Sequence, residues 1–225
     1  MLAAVIFDFD GIIVDTEPLH YKAFQEILVP LGYGYSWDEY LRHYIGFDDR
    51  DAFRAAFRAA GREIAEGELH LLIEEKARAF QRAIAAGVEP YPGVVELIRS
   101  LAGNIPLALC SGALPGDIQP ILDQLGIAAL FDAVVTATDV QASKPDPASY
   151  LLAVARLKAA FPDHGIVTGN CLAIEDTPAG IASASGAGLT TLAVTNSYPE
   201  ESLGGAGRVV PSLVGIDLEG LRLIF

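Results

Sequence analysis

Basic residues and cysteines are what this chain has least of. Its 15 Lys and Arg face 29 Asp and Glu over 225 residues, a formal net charge of −14. Proteins that grip nucleic acid neutralise its phosphates with clustered Lys and Arg. No such cluster occurs here, which excludes nucleic acid as the main partner. Cysteine occurs only at Cys110 and Cys171. Both sit inside apolar runs, LALCS and CLAIE, so a disulfide framework is excluded. Two buried, reduced thiols are expected instead, with a cytoplasmic compartment as the default. The amino terminus, MLAAVIFDFDG, lacks a basic segment, and its apolar stretch meets Asp8 too early for a signal peptide. The uncharged stretch Ile181–Pro199 is studded with Gly, Ser and Thr, and reads as a helix end followed by a strand, so no membrane partner is expected. Internal repeats and low-complexity tracts are absent. What is present is an ordinary globular composition, 52% hydrophobic and 20% charged. It suffices for one large domain, or for a core domain carrying a smaller one. The acidic surface favours solubility, and a monomer or weak homodimer is expected.

Short apolar runs alternate with amphipathic helical ones, the pattern of βαβ units around a parallel sheet. Candidate strands are Ala3–Phe7, Ile105–Cys110, Ala133–Val135, Cys171–Ile174 and Thr190–Val194, with a weaker sixth at Arg208–Val210. Between the first two lies a long interval, about Pro18 to Gly87, with no convincing strand. Its segments LHYKAFQEIL, WDEYLRHYIG, RDAFRAAFRAAG and ELHLLIEEKARAFQRAIAAG place apolar residues at helical spacing. The expected fold is α/β, a doubly wound parallel-sheet (Rossmann-like) core with an inserted α-helical domain. The core would take residues 1–15 and 92–225, the insert residues 16–91. The chain would leave at Asp15–Pro18 and return through GVEPYPG, rich in Pro and Gly. The insert's Phe24, Trp37, Tyr40, Tyr44 and Phe47 are expected to pack its core.

Open parallel sheets gather ligands beyond the carboxyl ends of their strands. At four such ends the sequence reads AVIF-DFDG, LALC-SG, an SKPDP loop, and LAI-EDTPAG. Asp8 and Asp10 lie two apart at a strand end and project to one side. Gly11 lets the backbone turn sharply behind them. An acidic pair in this position also serves simply to cap a helix. Glu175 and Asp176 change the weighing, because four carboxylates at one sheet edge repel one another unless a cation is bound. An all-oxygen cluster favours a hard ion, and Mg²⁺ takes one or two carboxylates together with waters and phosphate oxygens. Ser111 and Gly112 offer a hydroxyl and backbone N–H groups at the start of the next helix, suited to an anion. Lys144 sits in a loop restricted by Pro145 and Pro147. Each is weak alone; their placement at successive strand ends gives them weight.

The set DFDG (8–11), SG (111–112), SKPDP (143–147) and EDTPAG (175–180) resembles the four ordered motifs of the haloacid dehalogenase superfamily of phosphotransferases, across essentially the whole chain. VDTEPLHYKAF (14–24) is similar to the start of the small helical cap in the subgroup that contains β-phosphoglucomutase and sugar-phosphate phosphatases. The resemblance implies Asp8 as nucleophile, forming an aspartyl-phosphate, and Asp10 as general acid and base. It implies Mg²⁺ held by Asp8, the Asp10 carbonyl and Asp176, with Glu175 assisting. It implies Ser111, Gly112 and Lys144 as phosphate-binding, and Thr16, His20 and Arg50 as substrate-reading residues of the cap. A histidine at a helix start and an arginine on a helix face have ordinary structural roles as well.

The activity expected is that of a Mg²⁺-dependent phosphatase acting on a small phosphorylated metabolite. The alternative is a phosphomutase using the same aspartyl-phosphate. A mutase must grip a second phosphate, for which β-phosphoglucomutase uses a Lys after the motif serine and basic cap residues. Here Ser111 is followed by Gly112, Ala113, Leu114 and Pro115, and Gly46 is flanked by Ile45 and Phe47, which favours the phosphatase. A metal-free dehalogenase would leave Asp10, Glu175 and Asp176 without a purpose. A non-catalytic binder would not need every motif residue.

Overall fold

The computed structural model describes residues 1–44, 47 and 49–225. Ile45 and Gly46, which entered the comparison with the mutase, lie outside the described residues, as does Asp48. The chain divides into two compact units, one of Met1–Asp15 with Glu89–Phe225, the other of Thr16–Val88.

The first unit is built on six parallel strands: β1 (Ala4–Phe7), β2 (Leu107–Cys110), β3 (Ala133–Val135), β4 (Cys171–Glu175), β5 (Thr190–Val194) and β6 (Arg208–Val210). Their order in the sheet is β3-β2-β1-β4-β5-β6. All six expected runs are strands, with small shifts at their ends. The second starts at Leu107 because Pro106 has no N–H to give a ladder; its carbonyl still accepts from Val5 N at 3.0 Å. The four-residue strands are apolar throughout because both faces of the sheet are covered. Ala4, Ile6, Ala108, Cys110 and Ala173 pack on one face against Tyr150, Ala153 and Leu157. The alternate residues Val5, Phe7, Leu107, Leu109, Leu172 and Ile174 are equally buried. Cys110 and Cys171 are free and buried, as expected. Burial pushes each thiol up to about 11, so neither is a thiolate at neutral pH.

Among its described residues the second unit holds four helices, α1 (Glu17–Leu28), α2 (Trp37–His43), α3 (Asp49–Ala59) and α4 (Glu66–Ala85). Helix α2 opens with a capping box, in which Ser36 and Glu39 satisfy each other's backbone N–H. The unit has its own core of Phe24, Leu28, Tyr40, Tyr44, Phe53, Phe57 and Leu69, with Trp37 packed against it. Phe47 departs from the expected pattern. It is 48% exposed, although its ring still meets Tyr44 edge-on. The remaining helices belong to the first unit: α5 (Val94–Leu101), α6 (Pro115–Leu125), α7 (Ala148–Ala160), α8 (Pro178–Gly186) and α9 (Leu218–Ile224). No described helix is long and apolar enough to cross a membrane.

Candidate active site

The chain moves from β1 to β2 and β3 on one side and to β4, β5 and β6 on the other, so the topological switch point lies between β1 and β4. Such a switch opens a crevice beyond the strand ends. In register, Phe7 faces Ile174, and Asp8 N donates to Ile174 O at 3.0 Å. Asp8, Glu175 and Asp176 therefore arrive side by side, with one ligand oxygen of each within 4.8 Å of the others. Asp8 is 7% exposed, and Glu175 and Asp176 are fully buried.

Lys144 is the cation among them. Its Nζ donates to Asp8 Oδ1 at 2.7 Å, to Glu175 Oε1 at 2.6 Å and to Cys110 O at 3.1 Å. The SKPDP loop that carries it is tied down. Asp146 N donates to Ser143 O at 3.0 Å, Ala148 N to Asp146 Oδ1 at 2.9 Å, and Ser183 Oγ to Asp146 O at 2.6 Å. Burial pulls the Lys144 ammonium down, but Asp8 and Glu175 more than reverse this and hold it above the usual lysine range. Burial, reinforced by Glu175 and Asp176 and opposed by Lys144, raises the Asp8 carboxyl well above its ordinary value.

The two acids of EDTPAG differ sharply. Glu175 is saturated: Oε1 accepts from Lys144 and from Tyr150 OH at 2.7 Å, and Oε2 from Asp176 N at 3.2 Å and Thr177 Oγ1 at 3.4 Å. Thr177 also caps α8, accepting from Gly180 N at 3.0 Å, with Pro178 in the first turn. Gly180 leaves room for the carboxylate, since a Cβ there would lie 2.0 Å from Glu175 Cδ. Asp176 has no such company. Both its oxygens are buried and accept no hydrogen bond among the described residues. Burial lifts its pKa to about 7, with the Ser197 hydroxyl tempering the effect and Glu175 adding to it; Ser197 does not stand in hydrogen-bonding geometry. Gly11 turns past it with φ +81°, and a Cβ there would lie 1.8 Å from Asp176 Oδ2. A buried, unpaired carboxylate is costly unless a cation meets it. The donor set is all oxygen and suits a hard divalent ion.

Asp10 lies outside this group of three. It sits half-exposed in the turn after β1, which is closed by Gly11 N donating to Val14 O at 2.8 Å. Its charge also lifts the Asp176 pKa. Ser111 is buried at the end of β2, and its Oγ accepts from Ala113 N at 2.9 Å. Gly112 is exposed. The helix expected to start at these two residues starts at Pro115, because a proline at the first helical position is preorganised for it. Ser111 and Gly112 thus form a turn before α6.

In the helical unit, Thr16 is buried at the N-cap of α1. His20 is stacked on Phe80, ring centroids 4.2 Å apart. Arg50 is exposed in the first turn of α3. Sequence reasoning missed Lys76, which is 3% exposed. It donates to Asp49 Oδ1 at 2.7 Å and to His20 Nδ1 at 2.8 Å, between the rings of Phe24 and Phe80. Lysine only donates, so His20 Nδ1 accepts and the neutral ring carries its proton on Nε2. Burial and Lys76 lower the His20 pKa to about 3. A signal for Lys76 existed: it occupies the apolar stripe of α4 with Leu69, Ile73 and Phe80. Asn196 was also missed, although it follows a strand end. Its amide donates to Gly11 O at 2.6 Å.

The sequence pattern described as haloacid dehalogenase-like hydrolase matches residues 5–194. The chain is 33% identical over 192 residues to the fructose-1-phosphate phosphatase YqaB of Escherichia coli (strain K12), covering 85% of this chain and 96% of that protein. It is 30% identical over 228 residues to the β-phosphoglucomutase of Bacillus subtilis (strain 168), covering 98% and 94%. The crystal structure of CbbY from Rhodobacter sphaeroides in complex with phosphate superposes with a TM-score of 0.84 at 25% identity, covering 99% of this chain and all of that one. With the motif residues gathered at the switch point and a match across most of its length, the chain belongs to the haloacid dehalogenase-like hydrolase family and is an enzyme of that class.

Proposed function

We propose that the protein is a Mg²⁺-dependent phosphatase that hydrolyses a small phosphorylated metabolite of the sugar-phosphate kind through an aspartyl-phosphate on Asp8. One observation carries the reading: Asp8 is held by Lys144 at 2.7 Å beside an Asp176 whose buried oxygens accept no hydrogen bond among the described residues. Asp8, Asp176 and the backbone carbonyl of Asp10 would hold Mg²⁺, with Glu175 acting through Lys144 because its own oxygens are occupied. Bound there, Mg²⁺ would offset the negative charge of the nucleophile and of the transferring oxygens.

In the first half-reaction an Asp8 oxygen bonds to phosphorus as the bond from phosphorus to the ester oxygen breaks. Asp10 donates a proton to that leaving oxygen. In the second half-reaction Asp10 takes a proton from water, which attacks phosphorus and restores the Asp8 carboxylate. Lys144, the Ser111 hydroxyl and the Gly112 N–H hold the phosphoryl oxygens. By its resemblance to the family's cap, the segment 16–91 is assigned the part of the substrate-reading domain, with Thr16, His20 and Arg50 as its candidate substrate-binding residues. His20 acts there as a neutral Nε2–H donor, given its lowered pKa.

Hydrolysis is favoured over isomerisation because the one buried cation among the described residues of the helical unit, Lys76, is already neutralised by Asp49, which leaves Arg50 as the main cation there for a second phosphate. The residues after Ser111 bring no cation either. A panel of phosphorylated metabolites assayed for phosphate release in Mg²⁺ tests the proposal. Turnover of several monoesters, abolished by EDTA and restored by Mg²⁺, is the expected result. Glucose 6-phosphate formed from β-glucose 1-phosphate and its bisphosphate without free phosphate would replace the phosphatase by the mutase.

A further inference from the structure

We infer that Tyr150 is a positioning residue for phosphoryl transfer, acting through Glu175 on Lys144. The inference rests on the phosphatase reading above. Tyr150 lies in the first turn of α7 and is completely buried. Its hydroxyl makes no hydrogen bond to Asp8 among those described, although it lies within reach of that residue's charge, and its hydrogen-bonded path to Asp8 runs through Glu175 and Lys144. Its hydroxyl donates to Glu175 Oε1 at 2.7 Å, and Lys144 Nζ lies 5.1 Å above its ring.

The relay follows from counting donors and acceptors. Lys144 has three protons and three acceptors: Asp8 Oδ1, Glu175 Oε1 and Cys110 O. One ammonium is therefore shared between two carboxylates at nearly equal distances, 2.7 Å and 2.6 Å. Its position depends on how much negative charge each one presents. Tyr150 OH is a second donor to the same Glu175 oxygen, and it lowers that oxygen's pull on the lysine. The ring meanwhile supports the ammonium from below. Without the hydroxyl, Oε1 would have Lys144 as its one remaining donor, and the ammonium would move toward Glu175. Less of its charge would then fall on Asp8 and the transferring phosphoryl group. The loss is greatest where charge builds up on those oxygens, in the transition state, so kcat should fall while ground-state binding changes little.

Burial alone also makes Tyr150 a structural residue, so the test must separate the two roles. Tyr150→Phe keeps the ring and removes only the hydroxyl. Leu157→Ala, on the same helix and fully buried, removes apolar packing from the same core cluster and takes away no hydrogen-bonding side chain. p-Nitrophenyl phosphate turnover, acid-quench trapping of the phosphoenzyme in a single turnover, and thermal melting are measured on both variants and on the wild-type protein. For Tyr150→Phe we expect kcat and the rate of phosphoenzyme formation to fall together by roughly tenfold to a hundredfold, the worth of a hydrogen bond to a charged group. KM should stay within threefold. Leu157→Ala should melt at least as early and keep its kcat. A Tyr150→Phe kcat within twofold of wild type overturns the inference. So does a loss that Leu157→Ala matches at equal melting temperature, or a change confined to KM. If Tyr150→Phe does not fold, difluorotyrosine placed at position 150 keeps the packing and makes the hydroxyl a stronger donor. A kcat that does not respond to it overturns the inference. A wild-type protein without turnover on any monoester overturns the phosphatase reading and this inference with it, whereas an active wild type with an unaltered Tyr150→Phe overturns the inference alone.

Discussion

Substituting Gly11 by alanine probes whether the orphaned Asp176 is the heart of a cation site. The perturbation has two parts. Gly11 has φ +81°, where an L-residue costs about 1–2 kcal/mol. The new Cβ would also stand 1.8 Å from Asp176 Oδ2 and 2.5 Å from Cγ, an overlap worth about 1–3 kcal/mol in a packed interior. The sum is about 2–5 kcal/mol. Asp176 decides where it appears. If the carboxylate stays, the fold carries the strain, and denaturant unfolding without metal records the full loss. If it swings away, the fold is relieved and the cation loses its ligand, so half-saturating Mg²⁺ rises roughly thirtyfold to several-thousandfold, at 1.4 kcal/mol per factor of ten. Denaturation with and without Mg²⁺, paired with a Mg²⁺ titration of p-nitrophenyl phosphate hydrolysis, measures both shares. The reasoning is refuted if Gly11→Ala unfolds within about 0.5 kcal/mol of wild type and also reaches half activity at the same Mg²⁺ concentration.

Asp8→Asn should abolish turnover and leave the melting curve cooperative, and near-normal activity in that variant would remove Asp8 as nucleophile. Asp10→Asn should slow turnover by roughly 10²–10⁴-fold, as expected for a general acid and base, and acid quenching should recover phosphoenzyme; a variant as fast as wild type would free Asp10 of the role. His20 bears on stability against pH. Its folded pKa is lowered to about 3, by burial and then by Lys76, so above pH ~6.5 the ring is neutral in both states and contributes no pH dependence. As pH falls below that value the unfolded ring takes a proton that the folded ring refuses, and stability drops by up to about 1.4 kcal/mol per pH unit, roughly 2 kcal/mol by pH ~5. His20→Gln should lose this slope, and parallel curves for the two proteins between pH ~7 and ~5 would exclude it.

The fold was legible because its signals are local and repeated. Each strand is a short apolar run closed by a polar residue, and α1–α4 carry apolar residues at helical spacing, so element type followed from periodicity. The motif acids were legible for a related reason, since parallel topology sends every strand's carboxyl end to one edge. What stayed hidden depends on side chains meeting across the fold. Tyr150 sits inside α7 among Leu151, Leu152 and Ala153, where nothing in the spacing distinguishes an aromatic that packs from one whose hydroxyl reaches Glu175, 25 residues away. Phe47 looked like bundle core because aromatics usually are, yet it stands beside residues outside the described structure and is half-exposed. Lys76 was visible in principle, as a charge on an apolar stripe. Its partners could not be read, because they come from α1 and α3.

The contrast between Glu175 and Asp176 carries the strongest inference about the site. Both are fully buried and adjacent in sequence, so they share one environment. A short segment supplies Glu175 with Asp176 N and Thr177 Oγ1, while Lys144 and Tyr150 come from α7 and the loop before it. Donors are therefore not scarce. Asn196, whose amide could in principle serve a carboxylate, is turned onto the carbonyl of Gly11 instead. Gly11 provides space beside Asp176 in place of a donor. Three clustered carboxylates face one ammonium, so with all groups ionised the cluster is short of two positive charges. A buried unpaired carboxylate is disfavoured by several kcal/mol, and it persists in a fold when a ligand meets it. Glu175, which positions Lys144, is saturated with donors, whereas the Asp176 oxygens accept no hydrogen bond among the described residues, and that asymmetry is what the proposed divalent-cation site needs.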